Sequence, residues 1–170
     1  MTRAKAAAAS AAVFLVVAVV LAVAGVGPSH AVPGTPVAAG VVNPTATARD
    51  GAVAGATTAG QALTSAESND PAGTVDRMTQ VATGPLLENL RSQRAHWVEQ
   101  IRELRSQVTS EVLATAASAV DPKAGTATVL VLVKTTSTAD RQSRQQRMIL
   151  DMSRTPRGWK AAAVSAAPVG

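Results

Sequence analysis

An uncharged run near the N-terminus constrains this chain most. The 24 residues from Ala6 to Ser29 contain no acidic or basic side chain, and about 20 mostly apolar residues suffice for a helix to cross a bilayer core. The basic residues near the run, Arg3 and Lys5, both precede it. Because positive charge is retained on the cytoplasmic side, the sequence predicts a cytoplasmic N-terminus over residues 1–5. It also predicts a membrane helix over 6–27 and an extracytoplasmic remainder.

The same segment also fits a cleaved signal peptide. Arg3 and Lys5 would form its positive start, and Val13–Val26 has about the length of its apolar centre. Small residues suited to a signal peptidase follow at Ser29-His30-Ala31. Both interpretations export the rest of the chain. The protein is therefore expected to be a single-pass membrane protein or, alternatively, to be secreted after cleavage.

The stretch over residues 28–60 is predicted to be a flexible linker. Residues 27–60 contain six of the 12 glycines and four of the nine prolines. The remainder is mainly alanine, valine and threonine. Glycine loosens the backbone, proline removes a hydrogen-bond donor, and no helical or strand period persists. We therefore expect a disordered spacer here, rather than a partner-binding segment.

Residues 61–170 are predicted to form one α+β domain. Helices are expected over 61–69, over 75–81 behind a Thr74 cap, and over a longer stretch in which Leu86, Leu90, Trp97, Ile101 and Leu104 share one face. After Arg105 the hydrophobic period changes to two, which predicts strands over 108–120, 126–138, 145–154 and 159–164. About three helices would then pack on one face of a curved four-stranded antiparallel sheet.

The alternation also predicts which strand residues share a face. In the first strand one face should carry Val108, Val112, Ala114, Ala116 and Val120, and the other Glu111, Leu113 and Thr115. The run Val129–Val133 is apolar throughout, so this strand is expected to be buried on both faces. The hairpin loop at Thr155-Pro156-Arg157-Gly158 should connect the last two strands.

The core of this domain must be small in side-chain volume. Alanine and valine make up 59 of the 79 hydrophobic residues, and the chain has only three aromatic residues, Phe14, Trp97 and Trp159. Both tryptophans lie on apolar faces, so we expect them to pack in the core rather than to stack on a ligand. The absence of cysteine excludes disulfides, thiolate metal sites and thiol nucleophiles.

The candidates for chemistry are few, and no catalytic, cofactor or metal site is expected. The two histidines, His30 and His96, are far apart in the sequence, whereas a metal site needs several convergent ligands. Asp76 is the best candidate for a buried acid, although a carboxylate at a helix start is the simpler interpretation. Glu99 and Glu103 share a helix face with flanking arginines, which indicates a salt-bridged surface.

The basic charge is concentrated near the C-terminus. Its members, proposed as an interaction patch, are Arg141, Arg144, Arg147, Arg154, Arg157 and Lys160. They could form a docking face for anionic lipid headgroups or an acidic partner. They could equally be an ordinary solvated sheet edge, where charge prevents unwanted pairing. A nucleic-acid partner is not expected, because the domain is predicted to be exported.

Three segments together resemble a known family. They are the strand Ala127–Thr138 with its threonine-rich end, the strand Arg144–Met152 containing Gln145-Gln146-Arg147, and the hairpin residues Gly158-Trp159-Lys160. This combination resembles the actinobacterial Mce-associated membrane proteins, although the tyrosine and phenylalanine usual in their helices are missing. The resemblance implies a cone-shaped, cystatin-like α+β domain outside the membrane. It also implies an accessory role as a scaffold of a Mce lipid-import complex, with protein partners in that complex.

Two other function classes remain open from the sequence. The cone of the wider superfamily can hold a lipid or sterol, or it can be the active site of an isomerase-like enzyme. An apolar cavity between the third helix and the central strands would favour a binding module. A buried pair of acids would favour an enzyme, and a filled cone would favour the scaffold.

Overall fold

The computed structural model describes residues 43–167, in which helices cover one face of an antiparallel sheet. In chain order the elements are α1 (Pro44–Thr64), β1 (Ala66–Glu67), α2 (Pro71–Val81), α3 (Gly84–Ser92), α4 (Arg94–Glu103), β2 (Gln107–Asp121), β3 (Thr126–Ser137), β4 (Ser143–Thr155) and β5 (Gly158–Ala166). The five strands follow one another in the order β1-β2-β3-β4-β5. The predicted α+β fold is confirmed, with a fifth, two-residue strand added at the edge.

The predicted N-terminal segments lie outside the described residues. This applies to the cytoplasmic residues 1–5, to the membrane helix or signal peptide over 6–27, and to the first part of the predicted linker. No helix among residues 43–167 is both long enough and apolar enough to cross a membrane.

Helix α1 shows that the linker prediction was wrong for residues 44–60. Its first turn is capped by Asn43, whose side chain accepts hydrogen bonds from the backbone N–H groups of Thr45 and Ala46 at 3.0 and 3.4 Å. One face of the helix is buried and consists of Ala48, Ala52, Ala56, Ala59, Gly60 and Leu63. The alanines and glycines that suggested a spacer are therefore the packing face of a helix. The helix predicted over 61–69 is the end of α1 followed by β1.

Small residues let α1 approach the sheet very closely. A Cβ atom built on Gly55 would lie 2.8 Å from both the carbonyl oxygen and the Cβ of Trp159, and one on Gly51 would lie 2.8 Å from the Trp159 indole nitrogen. A Cβ on Gly60 would lie 3.0 Å from a methyl group of Val131. The helix backbone thus rests almost directly on β5 and β3.

Helix α2 begins earlier than predicted. Asp70, not Thr74, caps it by accepting a hydrogen bond from the backbone N–H of Gly73 at 3.0 Å. Thr74 is buried inside the first turn. Its hydroxyl accepts from the backbone N–H of Glu67 at 3.1 Å and donates to the carbonyl of Asp70 at 2.9 Å. Thr74 therefore joins β1 to α2.

Replacing Thr74 with valine is expected to lower the free energy of unfolding by about 2 kcal/mol, because the half-buried N–H of Glu67 and the guanidinium of Arg77 both lose an acceptor. Chemical denaturation followed by tryptophan fluorescence would measure this. Thr58→Val is the matched control: Thr58 is exposed and bonds only within α1, so its effect should stay within about 0.5 kcal/mol. Equal effects of the two substitutions would show that the buried hydroxyl contributes nothing.

The long third helix of the prediction is two helices. α3 ends at Ser92 and α4 begins at Arg94, with Gln93 between them at φ −102° and ψ 16°. The residues predicted to share one face mostly still point at the core: Leu86, Leu90 and Ile101 are buried, and Trp97 is half-buried. The hydrophobic pattern therefore continues across the break and did not reveal it.

Two irregularities in β2 change which residues face the helices. The register with β3 shifts between Val112 and Ala114 and again between Ala117 and Ala119, and an extra residue in a strand reverses the alternation beyond it. Thr115 therefore faces α1, where its hydroxyl lies 3.0 Å from that of Thr57. The prediction that Ala114 and Ala116 share a face with Val112 was wrong, because both pair with outward residues of β3, Leu132 and Leu130.

Strand β3 is covered on one face only, contrary to the prediction that it is buried on both. Val129, Val131 and Val133 are fully buried beneath the helices. Leu130, between them, points to the other face and is 39% exposed. The helices all lie on the valine side, which we call the inner face, and the opposite side is called the outer face.

Candidate interaction surface

The inner face of the sheet is closed by α1. Ala52, Ala56 and Ala59 of the helix are fully buried, as are the valines of β3 that lie beneath them. The close approach at Gly60 leaves no room for a further group between the helix and Val131. In the part of the chain that the structure describes, the buried polar residues are Thr74 and Ser106.

The acidic candidates are on the surface. Asp76 lies in the middle of α2, 56% exposed, and its carboxylate forms a two-pronged ion pair with Arg94 at 2.6 and 3.2 Å. Both earlier interpretations of Asp76, as a buried acid and as a carboxylate at the helix start, are therefore wrong. Glu99 pairs with Arg102 at 2.6 Å, which confirms the predicted salt-bridged surface at that position.

The remaining candidates do not converge. His96 is exposed on α4 beside Trp97, with ring centroids 6.3 Å apart, and His30 lies outside the described residues. Within residues 43–167 no three histidine or acidic side chains come close enough to hold a metal ion. The tryptophans pack against the core, as predicted. The indole N–H of Trp97 is buried without a hydrogen-bond partner.

The residues of the predicted basic patch lie toward opposite ends of β4. Arg144 and Arg154 are ten residues apart in this strand, which corresponds to about 33 Å. Arg141 lies in the turn before β4 with φ 56°, and Arg157 lies in the turn after it. The ammonium group of Lys160 donates to the carbonyl of Gln80 at 2.6 Å, near the C-terminus of α2. The six residues therefore form two separate ends rather than one surface.

The end with Arg141 and Arg144 can be tested as a lipid-docking site without changing Arg147, which lies further along β4 opposite Leu132. We expect the double serine variant to lose association with anionic lipid at low salt, since each arginine near such a surface contributes about 1 kcal/mol. Energy transfer from a dye on Ala139→Cys to labelled lipid, with the full chain in nanodiscs, would measure it. Arg154→Ser with Arg157→Ser is the control from the other end. Unchanged transfer in the double variant of Arg141 and Arg144 would show that these charges only solvate the sheet.

Asp121, the last residue of β2, accepts hydrogen bonds from the turn that follows it. The backbone N–H groups of Ala124 and Lys123 donate to its carboxylate at 3.0 and 2.9 Å. These hydrogen bonds hold the pKa of Asp121 below its usual value. Its contribution to stability should therefore be present at neutral pH and be lost as the pH falls through the lowered pKa.

The pH dependence of this turn can be measured directly. A titration of the Asp121 side chain by NMR is expected to give a pKa below that of an unstructured aspartate. An ordinary pKa for Asp121 would contradict the turn geometry.

The outer face carries an exposed apolar stripe that the sequence interpretation missed. Its members are Leu113, Ala114, Ala116, Leu130, Leu132 and Ile149, and we call it the outer stripe. Leu113, at the first irregularity of β2, is 41% exposed, and Leu130 is 39% exposed. Contiguous exposed apolar residues of this kind mark interaction surfaces. In β3 the leucines of the outer stripe alternate with buried valines. From the sequence, this apolar run was explained by a strand buried on both faces, and so the exposed stripe was missed.

Comparison with known proteins shows the fold and no closer relationship. No protein-family model and no curated protein sequence matches this chain. An IcmL-like type IV secretion system protein from Legionella pneumophila has a similar structure, with a TM-score of 0.53 and 11% identity over 69% of this chain and 91% of that chain. A periplasmic fragment of TraM is also similar, with a TM-score of 0.51 and 13% identity over 71% of this chain and 97% of that chain.

Proposed function

We propose that this chain is a non-enzymatic, membrane-tethered scaffold subunit of a Mce-type lipid-import complex in the cell envelope. The observation that carries the proposal is the closed inner face. A small-molecule site in such a fold would need a cleft or cavity, whereas α1 fills the space directly over β3 with alanine and glycine. The proposal therefore places the function on the outside of the domain.

The Mce-specific part of the proposal is supported by the family resemblance. Its three segments form β3, β4 and the start of β5, which are neighbours in the sheet. The Gln145-Gln146-Arg147 motif lies opposite Leu132, Val133 and Lys134 of the threonine-ended strand. The residues that carry the resemblance are thus one continuous unit of the fold.

The envelope location is supported by the apolar run that follows Arg3 and Lys5 and by the similar structures. One of these is a type IV secretion system protein and the other is a periplasmic fragment. We propose a single-pass protein with a cytoplasmic N-terminus and an extracytoplasmic domain; the alternative is secretion after cleavage. N-terminal sequencing of the mature protein separates them, since a new terminus at Val32 would exclude the anchor.

A lipid- or sterol-binding module is the second candidate function. The buried indole N–H of Trp97 and the buried hydroxyl of Ser110, both without partners, favour it, because a bound polar headgroup could satisfy such groups. An isomerase-like enzyme is a weaker third candidate, since it would require a buried acid. The carboxylates of the described residues all lie on the surface or are half-buried.

Affinity purification of the full tagged chain from cross-linked native envelopes tests the scaffold role. We expect a permease pair and several Mce subunits to co-purify, and uptake of labelled lipid to fall when the chain is deleted. Native mass spectrometry of the same sample distinguishes the scaffold from the lipid-binding module. A chain that is free of protein partners but carries one lipid molecule would replace the scaffold proposal with the binding module.

A further inference from the structure

We infer that the outer face of the sheet is a homodimer interface, in which two copies of this chain pack sheet against sheet. The helices lie on the inner face, so nothing among residues 43–167 covers the outer stripe. At its centre Leu130 pairs with Ala116 on one side and Ile149 on the other. This inference concerns self-association and holds whether or not the complex is of the Mce type.

The charges on β4 indicate a second copy as the occupant. Arg147, Ile149 and Asp151 share the outer face at successive outward positions. An antiparallel copy related by a two-fold axis at Ile149 would place Arg147 of each chain opposite Asp151 of the other. The interface would then contain two equivalent ion pairs around a homotypic apolar centre, as a two-fold contact requires. An unrelated partner would have to match both charges separately.

Both charged groups are available for such pairing. The carboxylate of Asp151 accepts one hydrogen bond, from the hydroxyl of Thr128 at 3.1 Å, through a single oxygen. The four ion pairs among the described residues do not involve Arg147, and its side chain is exposed. Arg147 and Asp151 can therefore form ion pairs with a second copy of the chain without breaking an existing ion pair.

The dimensions of the face also suit a dimer. Four strands spaced about 4.8 Å apart and about 40 Å long present roughly 750 Å², close to the 800 Å² or so that each partner of a stable complex buries. Besides Arg147 and Asp151, the outward residues next to the stripe include the small Ala119 and Ala163, which pair with Thr128 and Asp151. Small side chains between the leucines let two sheets interlock at the usual separation of about 10 Å.

Cross-linking tests the position of the axis, and the natural chain has no cysteine to interfere. Ile149→Cys would face its own copy across the axis. Because stacked sheets lie about 10 Å apart, a bifunctional thiol reagent of about that span is used instead of direct oxidation, which requires Cα atoms within about 7 Å. In membranes containing the full chain we expect a cross-linked dimer. Arg91→Cys, exposed on α3, is the control and should stay monomeric.

Charge reversal tests the pairing itself. We expect Arg147→Asp alone, or Asp151→Arg alone, to weaken the dimer of the purified full chain about tenfold or more at low salt, because each creates two like-charge contacts. The double reversal should restore dimerisation. Analytical ultracentrifugation measures the dissociation constant, and circular dichroism confirms that each variant is folded.

Three results would overturn the inference. The first is Ile149→Cys giving no more cross-linked dimer than Arg91→Cys. The second is Ile149→Cys cross-linking to a different protein instead of itself, which would make the face a heterologous docking site. The third is a double reversal that associates as weakly as the single variants. The cross-linking result stands even if a reversed charge unfolds the domain.

Discussion

Gly55→Leu is expected to separate α1 from the sheet and to lower the free energy of unfolding by about 3 kcal/mol or more. The added side chain would start from a Cβ only 2.8 Å from the backbone carbonyl of Trp159. That backbone belongs to β5, where Trp159 pairs with Arg154, so it cannot move aside without breaking the sheet. Urea denaturation followed by tryptophan fluorescence measures the loss, and Trp159 reports on the contact directly.

A matched substitution shows whether the effect comes from packing rather than from the helix. Ala54 is the neighbouring residue on the exposed side of α1, and Ala54→Leu should change stability by no more than about 0.5 kcal/mol. If both leucine variants were equally stable, the close helix–sheet contact would be refuted.

The two glycines beside Trp159 provide a finer comparison. Replacing a helical glycine with alanine normally stabilises by about 1 kcal/mol. At Gly51 the nearest atom belongs to the indole ring, which can shift, so Gly51→Ala should be nearly neutral. At Gly55 the nearest atoms include the backbone of Trp159, so Gly55→Ala should destabilise. A loss of stability at Gly55 with little change at Gly51 would assign the effect to the backbone contact.

Helix α1 explains why one part of the fold could not be predicted from the sequence. Periodicity detects a helix by the contrast between large apolar and polar residues. The buried face of α1 is made of alanine and glycine up to Leu63, and these residues also abound in flexible linkers. The distinguishing information is the shape of the opposing sheet, where Trp159 and Val131 leave no room for larger groups. That information lies 71 or more residues further along the chain.

The strands were predictable where the alternation was regular. β3, β4 and β5 lie within a few residues of their predicted bounds, and the loop at Thr155–Gly158 joins β4 to β5 as expected. β2 was predicted as a strand, but its faces were wrong between Val112 and Ala119, since the two register shifts leave no mark in a run of alanine, serine and threonine. The outer stripe was not predicted for a related reason. Leucine and alanine occur both on a sheet face buried within the chain and on a face that binds another chain, so the residue types do not distinguish the two.

Leu150→Ala is also expected to have a large effect on stability. Together with its control it compares the inner face of the sheet with the outer face. Leu150 is fully buried between Val129 and Val164 on the inner face. Truncating it leaves a cavity beneath the helices, and we expect the free energy of unfolding to fall by about 3–4 kcal/mol. We expect the stability of so small a core to lie near the low end of the usual range, about 5 kcal/mol, so mild warming should unfold most of the variant.

Leu130→Ala is the matched control, because the same change is made in the neighbouring strand on the outer face. Leu130 is 39% exposed, so in the monomer its truncation should lower stability by less than about 1 kcal/mol. Both variants are measured at a protein concentration low enough to keep the chain monomeric, since association would add its own stabilisation. At high concentration the Leu130→Ala deficit should grow while that of Leu150→Ala stays constant. Equal deficits for both leucines at low concentration would mean that the outer face is covered within a single chain, and the proposed dimer would have no surface to form on.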